Sequence, residues 1–414
     1  MSLTSKERTK ILKSIKKLVL AHHINVGGVD YAAWSLRVDE RTPDLLSADL
    51  SGFEAGIRQL LAELKTSHTV FYHSAPKELL SQHTINASLR DRERGGAQEW
   101  MFLDVFDDGP AYIAGIKPGD ILEAVDGTRC VPPAIPYFGI GQTHTLLVRK
   151  PDSSTAREIV VAVPMRKGTK QRPPIVEPKS PIHRQIGPGV GLLKIVYFPG
   201  TFGLKFANAL DHATEDLKRQ GCERLIIDLR GNIGGSLGFA RLASYMCPDQ
   251  IAIGHSLTPG RLRTGYAPEA LPRVPMPSTR AELLMTLTRF AVRDKSVMLL
   301  TQGLGKQPFH NKIAILVNEW TNSAAEMVAN FASENKLATI VGQKTRGNVL
   351  GASNFRVGSG YWLRLPVFGW FTSKGQTLEG TGVVPDVPLE ISPEALTAGH
   401  DNQMEKATEI VSGL

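Results

Sequence analysis

The chain has 414 residues, of which 42% are hydrophobic and 21% charged, a composition typical of folded globular proteins. This length predicts roughly two to three domains. The formal net charge is +8, but Lys and Arg are scattered and form no dense run among aromatic residues, so nucleic-acid binding is not favoured. The three cysteines lie far apart and form no C-x-x-C pair, which excludes a zinc knuckle or a dithiol redox motif of that type.

The sequence predicts no membrane span, because no stretch reaches the ~18 consecutive apolar residues that a transmembrane helix needs. The N-terminus has apolar residues interrupted by Lys and lacks both an apolar signal core and a small-residue cleavage site. The compartment therefore stays open: cytoplasmic as the sequence reads, or periplasmic or secreted if a leader was removed. The oligomeric state is also open, and a homo-oligomer is compatible with the sequence.

Residues 1–80 are predicted to form an N-terminal helical region. Their apolar residues recur at helical spacing, which places one face of a helix against a core. The clearest stripe consists of Phe53, Ile57, Leu60, Leu61 and Leu64.

Residues 85–167 change to short strands and turns. The stretch EWMFLDVFDDGPAYIAGIKPGDILEAVDGTRC (99–130) resembles a PDZ domain, whose proline-alanine, AGI and PGD pattern it carries. The resemblance implies that this module binds a peptide as an added strand. We expect Trp100, Met101 and Phe102 to contact that peptide. Residues 168–184 are rich in Pro and Lys and are predicted to be a linker.

Residues 185–395 alternate between strands and helices, which predicts an α/β catalytic domain, and 396–414 are predicted to be a C-terminal helical tail. Two loops follow strands, DLRGNIGG (228–235) and NEWTNSAAE (318–326). Because sites in open α/β sheets lie at the carboxyl ends of strands, both loops are candidates for a functional site.

Ser323 begins a predicted helix and is followed three residues later by Glu326. This spacing is typical of a helix capping box, so a purely structural serine is one interpretation. A nucleophile presented at a helix start is the other. In that case the backbone N–H of Gly234 or Gly235 and that of Ala324 could stabilise an oxyanion.

Three segments, DLRGNIGG, NEWTNSAAEMVANFASENKLATIVGQKTRG and EGTGVVPDV (379–387), resemble the S41 peptidases, the C-terminal-processing and tricorn-core family. The resemblance implies a crotonase-like ββα-type core of sheet and helices with an inserted PDZ domain. It also implies that Ser323 is the nucleophile and that neither a cofactor nor a metal ion takes part.

The identity of the general base follows less directly from the resemblance. The C-terminal-processing branch has a lysine at the position of Asn348, which cannot act as a base. Lys344 lies nearby, but its pKa would have to fall from ~10.4 towards ~7. The tricorn-type branch instead implies His68 as the base, with Ser67 and Glu379 completing a tetrad.

Structural alternatives remain for these residues. His68 could simply end a helix, and Glu379 could be a loop carboxylate. His73 is a second candidate base without a motif, and Asp386 is interpreted as structural.

The sequence therefore predicts a serine endopeptidase or C-terminal processing peptidase that acts on peptides or unfolded proteins. Two rival functions remain open. One is a PDZ-containing peptide-binding protein that has lost catalysis, which Asn348 favours. The other is a crotonase-like acyl-CoA enzyme, which the PDZ signature and Ser323 disfavour.

Overall fold

The computed structural model describes residues 3–73, 77–168, 174–200, 202–292 and 295–413. The chain divides into two compact units, each made of three separate stretches. Unit 1 comprises Met1–Pro76, Gln250–Gln302 and Arg346–Gly382, and unit 2 comprises Lys77–Asp249, Gly303–Thr345 and Val383–Leu414. Residues that are far apart in sequence therefore fold together within each unit.

The helices of the described ranges are α1 (Ser5–His22), α2 (Tyr31–Ser47), α3 (Leu50–Ala62), α4 (Ser81–Thr84), α5 (Pro110–Ile113), α6 (Leu204–Arg219), α7 (Phe239–Ser244), α8 (Pro259–Thr264), α9 (Arg280–Val292), α10 (Ala324–Glu334), α11 (Pro393–Thr397) and α12 (Asn402–Ser412), with a 3-10 turn at Pro268–Ala270.

The strands are β1 (Val70–His73), β2 (Glu78–Leu80), β3 (Ala87–Arg94), β4 (Ala97–Val105), β5 (Ile121–Val125), β6 (Thr128–Arg129), β7 (Tyr137–Gly139), β8 (Thr143–Arg149), β9 (Ala156–Ala162), β10 (Ile182–Gly187), β11 (Val190–Lys194), β12 (Arg224–Asp228), β13 (Ala252–Leu257), β14 (Arg273–Pro275), β15 (Val297–Leu300), β16 (Ile313–Val317), β17 (Thr339–Gly342), β18 (Gly351–Gly358), β19 (Tyr361–Thr372) and β20 (Val387–Pro388).

Unit 1 packs the three N-terminal helices on a β-sheet. Thr4 and Glu7 form a capping box at the start of α1, and the carboxylates of Asp30 and Asp49 cap α2 and α3. The sheet has the order β1-β19-β13-β15-β14, with β18 beside β19. The helices share one core with β1, β18 and β19. The predicted helical stripe is confirmed as buried: Phe53, Ile57, Leu60, Leu61 and Leu64.

Unit 2 contains a β-rich module where the PDZ resemblance lies. Its antiparallel sheet has the order β3-β4-β5-β8-β9, with β6 beside β5, and encloses its own hydrophobic core. Strands β3 and β9 form the two edges. The PDZ identity of this module remains a prediction.

The second sheet of unit 2 carries the predicted α/β arrangement. Its order is β10-β11-β12-β16-β17-β20, and every pair except β10 with β11 is parallel. Helix α12 packs on one face. The mixed α/β fold is therefore confirmed, while its crotonase-like description remains a prediction. Because β12 and β16 are parallel neighbours, two loops leave the same sheet edge: the glycine loop (229–235) and the serine loop (318–323).

The predicted linker 168–184 lies partly outside the described residues, since 169–173 are not described. Near its start, the described part of this segment contacts α4. Ile175 is buried, and its N–H donates to the carbonyl of His83 at 2.7 Å. Strand β10 begins at Ile182, inside the predicted linker.

Candidate active site

Ser323 lies at the N-cap of α10 and is the last residue of the serine loop. Its backbone has φ 54° and ψ −114°, which costs free energy for any residue other than glycine. The buried Glu326 accepts a hydrogen bond from the Ser323 N–H at 2.8 Å, and the capping box predicted from the sequence is confirmed. Thr345 Oγ1 donates to the same carboxylate at 2.6 Å. Glu326 therefore holds the helix start and fixes the strained serine backbone.

The glycine loop packs directly against Ser323. A Cβ added to Gly234 would lie 2.8 Å from Ser323 Cβ, closer than real Cβ atoms approach one another. Gly234 also has φ +82°, so both its conformation and its surroundings require glycine. This close approach places the backbone amides of the loop beside the serine.

The hydrogen bonds of the structure distinguish between the predicted oxyanion donors. The Gly234 N–H already donates to Asn232 Oδ1 at 2.7 Å, so it is not directed at a substrate. The N–H groups of Gly235 and Ala324 have no hydrogen-bond partner among the described residues. The pair compatible with an oxyanion hole is therefore Gly235 and Ala324.

Asparagine side chains of the glycine loop and of the serine loop hold the glycine loop in place. The Gly231 N–H donates to Asn318 Oδ1 at 3.0 Å, and Asn232 Nδ2 donates to the carbonyl of Ile195 at 2.6 Å. Asn318 Nδ2 in turn donates to the carboxylate of Asp104 at 3.2 Å and 3.3 Å. Burial raises the pKa of Asp104. A strand of the β-rich module thereby supports the loop beside Ser323.

Sequence reasoning missed these supporting residues. Asn232 and Asn318 each come shortly after a buried strand, and that placement could have indicated them. Nothing in the local sequence indicates Asp104, because it comes from β4, more than 100 residues before either asparagine.

In unit 1 the structure brings Ser67, His68 and Glu379 together. The Ser67 N–H donates to Glu379 Oε1 at 2.5 Å, and the Ser67 hydroxyl donates to Glu379 Oε2 at 3.0 Å. Ser67 Oγ also lies 2.8 Å from His68 Nδ1. The Val349 N–H adds a third hydrogen bond to Glu379 at 3.1 Å. Residues 312 positions apart in the chain thus form one hydrogen-bonded group.

The donor pattern assigns the His68 tautomer. A hydroxyl has one proton, and that of Ser67 is directed at Glu379. His68 Nδ1 must therefore carry the proton that it shares with Ser67 Oγ, which leaves Nε2 with a free lone pair. An imidazole in this tautomer can accept a proton at Nε2.

Burial, together with the positive charge of Arg364, lowers the pKa of His68 to about 4. The imidazole is therefore neutral at pH 7, as a general base must be. His68 also lies beyond the end of α3 at Ala62 and has φ 61°, so it does not cap the last turn of that helix.

The other candidate bases occupy different environments. Lys344 is exposed in unit 2, whereas a lysine base needs a dry pocket. Asn348 precedes Val349, the residue that donates to Glu379. His73 lies in β1 with its ring against Tyr361 at 5.0 Å between centroids. Asp386 accepts a hydrogen bond from the Ile340 N–H at 2.8 Å, a structural role.

The structure corrects the prediction for Trp100, Met101 and Phe102. All three are buried in β4, which pairs with β3 on one side and β5 on the other. Their backbone groups are already used within the sheet, so a peptide cannot add there. The preceding Gly95 and Gly96, both with positive φ, form the tight turn between β3 and β4.

Neither a metal centre nor a membrane helix is found in the part of the chain that the structure describes. Within it, no cluster of three or more His, Cys, Asp or Glu side chains is placed to hold a metal ion. None of its helices combines the length and apolar character needed to cross a membrane.

Comparison with known proteins finds similarity to peptidases. Residues 189–389 match the model of Peptidase family S41. The chain is 25% identical over 285 residues to the chloroplastic carboxyl-terminal-processing peptidase 2 of Arabidopsis thaliana, covering 68% of this chain and 48% of that protein. It is also 25% identical over 319 residues to a carboxyl-terminal-processing protease of Synechocystis, covering 73% of this chain and 63% of that protein. The chain thus spans about half to two thirds of the length of these curated relatives.

Solved structures show the same fold. The photosystem II D1 C-terminal processing protease matches with a TM-score of 0.56 at 19% identity, over 94% of both chains. Mature CPAF matches with a TM-score of 0.56 at 15% identity, over 98% of this chain and 96% of that one. At these identities the likeness concerns the fold.

Proposed function

The chain belongs to peptidase family S41 over residues 189–389, and from this premise we propose that it is a serine peptidase that cleaves peptides or the C-terminal regions of proteins. Its matched relatives are named carboxyl-terminal-processing peptidases. We expect peptides or unfolded proteins as substrates, since an extended chain is what a peptidase cleft can align with a nucleophile.

In the proposed reaction Ser323 Oγ attacks the scissile carbonyl while His68 Nε2 takes its proton. The tetrahedral oxyanion accepts hydrogen bonds from the N–H groups of Gly235 and Ala324. His68 then returns the proton to the leaving amine, and an acyl-enzyme forms on Ser323. A water molecule, deprotonated by the same imidazole, hydrolyses the acyl-enzyme and releases the second product.

The observation that carries this proposal is the directed hydrogen-bond chain from His68 through Ser67 to Glu379. His68 Nδ1 donates to Ser67, and the Ser67 hydroxyl donates to Glu379. The carboxylate thus stabilises the imidazolium that forms when Nε2 takes a proton, the role that the acidic member has in serine triads.

A lysine base is the less favoured mechanism. Asn348 occupies the position where the C-terminal-processing branch has lysine, and Lys344 is exposed. An exposed side chain lacks the dry pocket that a lysine base requires.

We further propose that the β-rich module binds a peptide by strand addition at an edge of its sheet. Strand β3 is one such edge, and its second half, Asp91–Arg94, is largely open to solvent. An added strand would use the unpaired backbone groups of that edge. Binding of a labelled peptide to the Ser323→Ala variant, with a free or an amidated C-terminus, tests whether a carboxylate is recognised.

Active-site labelling tests the peptidase proposal. A fluorophosphonate should label the wild-type chain at Ser323, as mass spectrometry of the modified peptide would show. Labelling should be abolished in Ser323→Ala and reduced by at least about 10²-fold in His68→Ala. Ser333→Ala, on the same helix, and His73→Ala, on β1, serve as matched controls and should be labelled like the wild type.

Two results would contradict the proposal. Labelling that survives His68→Ala but fails in Lys344→Ala would identify a lysine base. Absence of labelling and of peptide hydrolysis in the wild type, with peptide binding retained, would identify a non-catalytic peptide-binding protein.

A further inference from the structure

The loop between α3 and β1, residues 63–69, presents the proposed base and has a strained backbone. Lys65 has φ 50° and His68 has φ 61°, in the left-handed region that side chains rarely adopt. Two such residues so close together persist only where neighbouring groups over-determine the conformation. The contacts of this loop therefore decide where the His68 ring lies.

The loop is held from two sides. Glu379 binds the N–H and the hydroxyl of Ser67, as described above. On the other side the Thr66 hydroxyl lies 2.9 Å from His23 Nε2 and 3.0 Å from Thr69 Oγ1. Thr66 and Thr69 flank Ser67 and His68, so the hydrogen bond between the two threonines closes the loop around these residues, and the His23 contact anchors it at Thr66.

His23 is suited to be an anchor because it is itself fixed by regular elements. It is the C-cap of α1, and its N–H donates to the carbonyl of Val19 at 3.1 Å. The next residue, Ile24, donates its N–H to the carbonyl of Pro366 in β19 at 3.0 Å. The His23 ring is fully buried and lies edge-on to Tyr31, with centroids 5.8 Å apart.

The hydrogen bonds of His23 have a single consistent direction. The Tyr31 hydroxyl donates its one proton to the His23 carbonyl at 3.0 Å, so it must accept from His23 Nδ1, which lies 2.8 Å away. His23 Nε2 is then an acceptor and receives the Thr66 hydroxyl proton. Thr66 Oγ1 in turn accepts from Thr69. Burial lowers the pKa of His23 to about 4, which keeps this neutral form at neutral pH.

We propose that His23 is a positioning residue for the reaction: by accepting the Thr66 hydroxyl proton it fixes the 63–69 loop and thereby the His68 imidazole. The inference rests on the proposed function, in which His68 is the base. It adds a residue more than 40 positions upstream of His68, on a different element.

A pair of Thr66 variants isolates the hydrogen bond. Thr66→Val keeps the shape and removes the hydroxyl, whereas Thr66→Ser keeps the hydroxyl. Loss of the anchor should lower kcat for a peptide substrate by roughly 10- to 100-fold, because small displacements of a reacting group have effects of that size. KM should change less than about twofold, since the loop is not proposed to bind substrate. Thr66→Ser should restore most of kcat, and His23→Phe should behave like Thr66→Val.

Val38→Ala provides the matched control. Val38 is buried in the same unit 1 core, on α2. Its apolar side chain makes none of the hydrogen bonds that hold the loop, so truncation lowers the melting temperature while leaving those bonds in place. An equal fall in kcat for Val38→Ala and Thr66→Val, at equal loss of melting temperature, would overturn the proposal. So would an unchanged kcat in Thr66→Val and His23→Phe.

A second readout does not depend on activity. The imidazole NMR signal of His68, assigned by its loss in His68→Ala, should shift or broaden in Thr66→Val and stay in place in Val38→Ala. If the wild type is not labelled at Ser323, the peptidase proposal fails, and a shifted His68 signal would still show that His23 positions the ring. If labelling succeeds and the signal does not move, the positioning proposal alone fails.

Discussion

Acidification is a direct test of the environment assigned to His68. In the folded protein, burial and the charge of Arg364 lower the pKa of this imidazole to about 4. The pH dependence of kcat/KM reports the ionisation of the free enzyme's essential base. As the pH is lowered, activity should therefore fall only at the low pH at which His68 becomes protonated.

The expected magnitude follows from that pKa. With a pKa near 4, ~90% of His68 is neutral at pH 5, whereas a histidine with the ordinary value of ~6.5 would be only ~3% neutral. The two cases differ by ~30-fold in active base at pH 5. We expect kcat/KM to keep most of its neutral value at pH 5 and to fall steeply only around pH 4.

The assay is the second-order rate of peptide hydrolysis, or of fluorophosphonate labelling at Ser323, from pH 8 down to pH 3.5. Circular dichroism at each pH separates loss of base from loss of fold. Arg364→Gln provides a matched variant: without the cation, the pKa of His68 should rise, and the acid limb should move to higher pH.

An acid limb at pH 6 to 7 in a protein that is still folded would refute this reasoning, because it would require a solvated imidazole. A limb that does not move in Arg364→Gln would remove the electrostatic part of the argument. An activity that rises only above pH 9 would point to a lysine base instead.

Three further predictions concern the supports of the site. Gly234→Ala should lower the Ser323 labelling rate by at least about 10²-fold, because the new Cβ would lie 2.8 Å from Ser323 Cβ. The melting temperature should be affected less than the labelling rate. A rate within threefold of wild type would contradict the close packing. Asp104→Ala should lower the free energy of unfolding in urea by ~1–3 kcal/mol, because the Asn318 amide and the Ser88 hydroxyl both lose the carboxylate that accepts from them. Asp104→Asn should keep most of that stability, and equal losses would show that these hydrogen bonds are not the cause. Because the pKa of His23 is lowered to about 4 in the folded state, His23 binds fewer protons in the folded protein than in the unfolded chain. Its contribution to the free energy of unfolding is therefore complete above pH ~6.5 and falls by on the order of 3 kcal/mol as the pH is lowered towards 4. Unfolding of His23→Gln should show a correspondingly weaker pH dependence over that window, and an unchanged slope would argue against a neutral buried ring.

Much of the unit 2 part of the site could be predicted from the sequence, because the signals are local. The capping box of Ser323 and Glu326 spans four residues, and the glycine loop follows a continuous buried strand. Parallel neighbouring strands bring the loops at their carboxyl ends together, so the approach of the glycine loop to Ser323 follows from the fold class.

The remaining features depended on side-chain directions and on the packing of separate strands. The Asn232 side chain accepts the Gly234 N–H and leaves that of Gly235 free within the described part of the chain. No local sequence pattern specifies the direction of that side chain. The burial of Trp100 follows from β4 being central in its sheet.

The sequence by itself predicted the N-terminal helices, the strand-end loops and, by resemblance, the candidate residues of the site. Only the tertiary structure decided which atoms of these residues meet. The Ser67–Glu379 bonds join residues 312 positions apart, and the His23–Thr66 bond joins residues 43 positions apart. The physical reason is that hydrogen bonds need atomic distances and directions, and these arise only when separate elements pack together.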